Sequence, residues 1–304
     1  MAHVSTARQT PLSAPSTTGE AAAPYPVCHG GVKPDAVNVA ALTFTHNREP
    51  ALLNINLTVH QGDFMALIGP NGGGKTTLLR LMLGLLKPQT GSVRIFGESP
   101  ERMQSHMGYV PQFSTMKTDF PATILDAVLM GGAKKSFFGG SWPRGNASKE
   151  QALEHLETLG LADMANTPIH ALSGGQRQRA LVARALMGRP EGTNSPFMLL
   201  LDEPTASIDP QGKFCFYEFL GNLRGKVTIV VVSHDLFVAS PFFSHVAFIN
   251  KTATLLPDGA SLSGQELAAL FGTHSHVCPV ADLQHAGGLV HMDDRAHNNC
   301  RHDG

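Results

Sequence analysis

Phe64-Met-Ala-Leu-Ile68 runs directly into Gly69-Pro70-Asn71-Gly72-Gly73-Gly74-Lys75-Thr76-Thr77, which opens onto the leucine-rich stretch Leu78 to Leu86. Five apolar residues closed by glycine predict a short buried strand. A helix is expected to begin within Gly74 to Thr77 and to run through Leu86, where Lys87 and Pro88 would stop it. Strand, glycine-rich loop and helix together fit G-x-x-x-x-G-K-[ST]. The spacing suits phosphate: glycines let successive backbone N–H groups curl around an anion, and the helix N-terminus adds its dipole. Lys75 would reach the β and γ oxygens of a nucleotide, and Thr76 would hold Mg²⁺. A glycine-rich turn alone is commonplace. The strand before it and the helix after it make nucleotide binding the expectation.

On the N-terminal side, Val37, Val39 and Leu42 to Phe44, then Leu52 to Val59, predict paired strands. Met1 to about Pro34 is rich in Ala, Pro, Ser, Thr and Gly, so ordering it would return little burial; it is expected to be a disordered extension, residues 1–34. On the C-terminal side a hairpin-like stretch, Gly91 to Gly97, leads to Gly108 to Gln112. Helical periodicity follows between Pro121 and about Asp163, interrupted by a glycine-rich loop from Gly131 to Gly145. Leu172 to Gln176 should open a helix ending near Met187. A buried strand at Phe197 to Leu201, a helix from Gly212 to Leu223 and a strand at Val227 to Val232 complete an α/β core with an inserted helical subdomain.

Two further segments bear chemistry. Phe197-Met-Leu-Leu-Leu-Asp202-Glu203 is an apolar strand ending in adjacent carboxylates. Alternation along the strand would point them differently, one toward Mg²⁺ and one toward an attacking water. By themselves they could be two acids left in solvent; coupled to the phosphate loop they read as functional. Leu172-Ser173-Gly174-Gly175-Gln176 is a second anion-binding nest at a helix start, about a hundred residues from the first. One nucleotide does not need two such loops from one chain.

In the order phosphate loop, Gln112, Leu-Ser-Gly-Gly-Gln, Leu-Leu-Leu-Asp-Glu-Pro, His234, the sequence resembles an ATP-binding subunit of an ABC transporter, over about Val37 to Gly272. The resemblance implies a P-loop NTPase of the ABC nucleotide-binding type, with a β subdomain and a helical subdomain at about 113–187 inside an ATP-binding domain spanning 35–272. It implies a homodimer in which Ser173, Gly174, Gly175 and Gln176 act on the γ-phosphate held by the other copy. Gln112 matches the glutamine that senses Mg²⁺ or water and faces the membrane partner. Glu203 matches the general base, Asp202 a Mg²⁺ ligand, and His234 the histidine that contacts the γ-phosphate. Ser207-Ile208-Asp209 resembles the loop that crosses the dimer. His46 occupies the position where the family stacks an aromatic ring on adenine, with Phe44 two residues earlier. ATP hydrolysis with closure and reopening of the dimer is the implied mechanism.

The cargo must be sought elsewhere. Asp119 to Gly131, and Gly69 to Thr77 with its triple glycine, resemble uptake systems for zinc, manganese or iron(II). Residues 273–304 hold six of the fifteen histidines and two of the four cysteines. His274, His276, Cys278 and His285 are candidate Zn²⁺ ligands, since imidazole and thiolate suit that ion, although no spacing fixes a geometry. The tail around Cys278-Pro279-Val280 also resembles the metal-uptake branch, which favours zinc, with manganese or iron(II) as alternatives. An integral membrane permease and, indirectly, a secreted or periplasmic metal-binding protein are the implied partners.

Composition weighs against other classes. Lys and Arg number 23 against 24 Asp and Glu, a balance unsuited to neutralising nucleic-acid phosphates, so no nucleic-acid partner is expected. A soluble ABC ATPase acting on DNA or ribosomes fits less well, because the interval between the two loops is short and the chain holds one set of motifs. No apolar run approaches a membrane span. The first thirty residues lack a basic start followed by an apolar stretch, and the cysteines show no paired spacing. The expected location is cytoplasmic, peripheral on the inner face of the membrane.

Overall fold

A computed structural model describes residues 33–47, 49–112, 122–132, 146–189, 196–206, 208–233 and 242–256. Strands β1 (Asp35–His46), β2 (Glu49–His60) and β4 (Thr90–Ile95) form an antiparallel sheet in the order β2-β1-β4. Strands β3 (Phe64–Ile68), β5 (Met107–Val110), β6 (Met198–Asp202), β7 (Thr228–Ser233), β8 (His245–Asn250) and β9 (Thr252–Leu255) form a second sheet, ordered β5-β6-β7-β3-β8-β9. Its pairings are parallel except that of β8 with β9.

Every residue of β3, β6 and β7 is buried, as expected of parallel strands covered on both faces. The pleat sorts their side chains between two cores. Phe64, Ala66, Leu199, Leu201, Ile229 and Val231 join one side, shared with helices α2 (Ile124–Leu129), α3 (Asn146–Thr158), α4 (Gly174–Leu186) and α5 (Pro210–Gly221). Met65, Leu67, Met198, Leu200, Val230 and Val232 face the other side, where α1 (Lys75–Met82) and the antiparallel sheet pack. This is the α/β nucleotide-binding architecture with a β subdomain that the motif order implies.

Helix starts follow the sequence closely, because caps fix them. Ser173 precedes α4 with a reciprocal cap: its hydroxyl accepts from Gln176 N–H while the Gln176 side chain takes the Ser173 N–H. Thr123 and Asp126 do the same for α2. Such a cap contributes about 1 kcal/mol. Asp209 caps α5, with Pro210 in its first turn, so that helix starts before the expected Gly212.

The end of α1 differs from expectation. The leucines through Leu86 suggested a longer helix, but it stops at Met82. Gly84 takes φ 70, its N–H bonds Leu81 O, and Leu85 N–H reaches back to Arg80 O. That pair of bonds is a Schellman closure, and a left-handed glycine just past the helix satisfies carbonyls that another turn would otherwise have used. Strands β8 and β9 were not anticipated. They extend the parallel sheet on the far side of β3 and, as shown next, reach the phosphate loop.

Candidate functional site

The loop Gly69 to Gly74 leaves the end of β3 and turns into α1, with Gly74 at φ 100 in the N-cap position. Glycine is required at Gly73 and Gly74 by the neighbours. A Cβ on Gly73 would come within 2.7 Å of the Ile249 carbonyl oxygen, and one on Gly74 within 2.5 Å of the Ala51 carbonyl oxygen. Gly73 and Gly74 thus let the loop lie directly against β8 and β2.

Lys75 is buried, at 5% exposure, and its ammonium donates to the carbonyls of Gly69 (2.8 Å) and Pro70 (2.9 Å). Two of its three N–H groups are so used, and one is left for an anion in the cleft. Burial lowers the Lys75 pKa, against which the Glu203 and Asp202 carboxylates pull it up. Asp202 shifts the other way. Burial pushes its carboxyl up most and Glu203 adds to this, while the Thr76 hydrogen bond, Arg80 and Lys75 draw it down. A buried carboxylate of this kind is stabilised by a cation beside it.

Thr76 Oγ1 donates to Asp202 Oδ1 at 3.1 Å, and Gln112 Nε2 donates to Glu203 Oε2 at 2.6 Å. Hydroxyl, carboxylate and amide oxygens are hard donors of the kind Mg²⁺ prefers, so the residues fit that ion. Asp202 is the last residue of β6. Glu203 lies beyond it with φ 45, its N–H bonded to Val232 O at 2.9 Å. Asp202 thus meets Thr76, while Glu203, on a left-handed backbone, meets Gln112. Non-glycine residues in that region cost of order 1 kcal/mol and persist where the surroundings impose them.

Lys75, Thr76, Gln112 and Glu203 line one open cleft of about 650 Å³, and Asp202 is tied to it through Thr76. It is lined by the phosphate loop from Asn71 to Thr77, by Gln112 and Glu203, and by His46, Glu49, Pro50 and Ala51. His46 is exposed, and its Nε2 lies 3.3 Å from Thr77 Oγ1. Phe44 is buried and meets the His46 ring edge-on, with centroids 4.8 Å apart, so the imidazole is the ring that lines the cleft. Lys251, between β8 and β9, also lines it. Sequence reading missed Lys251. The apolar run Val246 to Ile249, followed by Asn250 and Lys251, was the available signal for a strand and turn there.

Ser173, Gly174 and Gly175 do not join that cleft. With Ile208, Asp209 and Gly212 they line a second one of about 250 Å³, and Ser173 and Gly174 are exposed. Asp209 Oδ2 accepts from Gly212 N–H at 3.1 Å, which is a capping bond within the chain. Gln176 is committed to the cap of α4. The Ser173 turn therefore opens onto a different cleft from Lys75, next to Asp209. His234, Ser207, His274, His276, Cys278 and His285 lie outside the described residues. Among the described residues no helix is long and apolar enough to cross a membrane, and no group of His, Cys, Asp and Glu is placed to hold a metal by such ligands alone.

Comparison with known proteins agrees with this layout. The family model described as ABC transporter matches residues 52–206. The zinc uptake system ATP-binding protein ZurA of Listeria innocua is 37% identical over 77% of this chain and 89% of its own length. The zinc transport system ATP-binding protein TroB of Treponema pallidum is 35% identical over 75% of this chain and 82% of its own. Among solved structures, a dimeric ATP-binding cassette in a post-hydrolysis state with ADP and Pi superposes with a TM-score of 0.57, at 27% identity, over 74% of this chain and all of that one.

Proposed function

Because this chain belongs to the ABC transporter family, we propose that it is the ATP-hydrolysing subunit of an uptake system for a divalent metal, zinc, acting through a separate membrane permease. The family is one of ATP-driven cassettes, and ATP and Mg²⁺ binding belong to it. The observation that carries the residue assignments is that one cleft gathers Lys75, Thr76, Gln112 and Glu203, with Asp202 bonded to Thr76. The choice of zinc rests on the relatives of Listeria and Treponema, which are named for zinc.

In this reading Gly69 to Thr77 hold the triphosphate, His46 stacks on the base, and Glu203 takes a proton from the attacking water. Mg²⁺, when bound, would be held by Thr76, Asp202 and Gln112 and would neutralise phosphate charge. Gln112 bonds the general base and also stands where the segment toward the permease begins, so a shift of that segment would reposition Glu203. Ser173, Gly174, Gly175 and Asp209 face a second cleft, which fits a two-fold homodimer in which each copy completes the other's site. His234 belongs to the same assignment by its motif. We place the subunit on the inner face of the membrane, in partnership with a permease and, through it, an external metal-binding protein.

Zinc uptake in cells lacking this subunit, with and without the restored gene, tests the cargo. Restoration of ⁶⁵Zn uptake is expected, and restoration of manganese or iron(II) uptake alone would overturn it. Lys75→Ala tests the cradle. The lost ammonium removes a charge-assisted bond worth about 1.5 to 3 kcal/mol, so ATP affinity should fall about 10- to 100-fold. Undiminished affinity in a binding titration would contradict the assignment.

The tail is assigned as a zinc-binding segment from its histidines and cysteines, with His274, His276, Cys278 and His285 as ligands. Truncation after Gly272 should leave ATPase activity in place and lower the Zn²⁺ content measured by equilibrium dialysis. Equal Zn²⁺ affinity in the truncated chain would remove the tail from this scheme.

A further inference from the structure

Lys251 occupies the turn between β8 and β9 at φ 59. A left-handed lysine has to be held there. Its N–H donates to Gly73 O at 2.8 Å, and its carbonyl accepts from Leu53 N–H at 2.6 Å. One residue thus joins the phosphate loop to β2, and that residue lines the same cleft as Lys75. The two lysines differ in their circumstances. Lys75 is buried and bonded to its own loop, whereas Lys251 is exposed, and among the described residues no carboxylate forms an ion pair with it.

Sheet order places the Lys251 turn relative to Asp202 and Glu203. β3 has β7 on one side and β8 on the other, and β6, which ends in Asp202 and leads to Glu203, lies beyond β7. The metal-binding and hydrolytic groups therefore stand on one flank of the loop and the Lys251 turn on the opposite flank. That flank leads to Ala51, Pro50 and His46, the base end of the cleft. We propose that Lys251 is a second cationic contact for the nucleotide, meeting the phosphate oxygens that ATP and ADP have in common rather than the γ-phosphate. The inference rests on the nucleotide-site reading above. It makes the β8–β9 turn part of the binding machinery and explains why a long charged side chain is tolerated at a strained position.

Binding of fluorescent ATP and ADP analogues with Mg²⁺ to the full chain tests it, using Lys251→Met, which keeps the aliphatic stem and the backbone, and Lys251→Gln as a second neutral variant. Both dissociation constants should rise by the same factor, about 3- to 10-fold, with a shallower salt dependence. Lys251→Arg should restore affinity. Unchanged affinities, a loss confined to ATP, or a loss that Lys251→Arg does not repair would each overturn the proposal. Lys75→Ala run in parallel separates the two failures. If it weakens binding and Lys251→Met does not, only this inference falls. If the wild-type chain binds neither analogue, the nucleotide-site reading falls.

Discussion

Glu203→Gln is expected to bind Mg²⁺ and ATP as the wild type does while its turnover falls about 100- to 1,000-fold, the contribution of a well-placed general base. The substitution keeps the volume of the side chain and an oxygen to accept the Gln112 bond, while it removes the negative charge and with it the ability to take a proton. The bonds of the loop itself, Lys75 to Gly69 O and Thr76 to Asp202, do not involve the Glu203 side chain. Its backbone is fixed by the bond from Glu203 N–H to Val232 O, and its carboxylate by Gln112 at 2.6 Å, so the variant side chain should occupy the same place. Bound ATP that is not hydrolysed keeps the two copies together, so size-exclusion chromatography with ATP should show a dimer that persists. Full turnover in Glu203→Gln would remove Glu203 from the role of base. A loss of ATP affinity equal to the loss of turnover would mean that the residue serves binding instead.

The parts of the fold that sequence disclosed are those encoded by neighbours in the chain. Phe64 to Ile68 is apolar at every position because it is covered on both faces, and the loop after it has a fixed spacing because consecutive amides must converge. Ser173 and Gln176 announced the start of α4 because a reciprocal cap needs those types three residues apart. Features set by distant contacts were hidden. The leucines past Met82 suit a longer α1, yet Gly84 closes it, and the packing of that turn against Pro100 and Glu101 is a tertiary fact. The left-handed backbone of Glu203, whose N–H bonds Val232 O of β7, is a feature tied to a contact distant in the chain. Lys251 enters the cleft only because β8 pairs with β3, a pairing that no local pattern specifies. The need for glycine at Gly73 and Gly74 likewise comes from the Ile249 and Ala51 carbonyls as much as from phosphate.

Two inactive variants should regain activity when mixed, because the two anion-binding turns of one chain open onto different clefts. Lys75→Ala disables the cradle and leaves Ser173 intact. Ser173→Asp does the reverse. Aspartate caps a helix as well as serine does, so α4 should keep its start, but its carboxylate would repel the triphosphate that the serine turn is assigned to cover. Each variant alone should hydrolyse ATP at a small fraction of the wild-type rate. In a mixed dimer one site combines Lys75 from one copy with Ser173 from the other and is whole, while the second site lacks both. Random pairing makes half of the dimers mixed with one competent site each, so a co-expressed equal mixture should recover about a quarter of wild-type activity. If Lys75 and Ser173 served one nucleotide within a single chain, no pairing could bring a whole site together and the mixture would stay inactive. Circular dichroism melts of both variants separate that outcome from misfolding. Recovery that depends on protein concentration would place the reacting nucleotide between two copies, where the exposed serine turn of one meets the loop of the other.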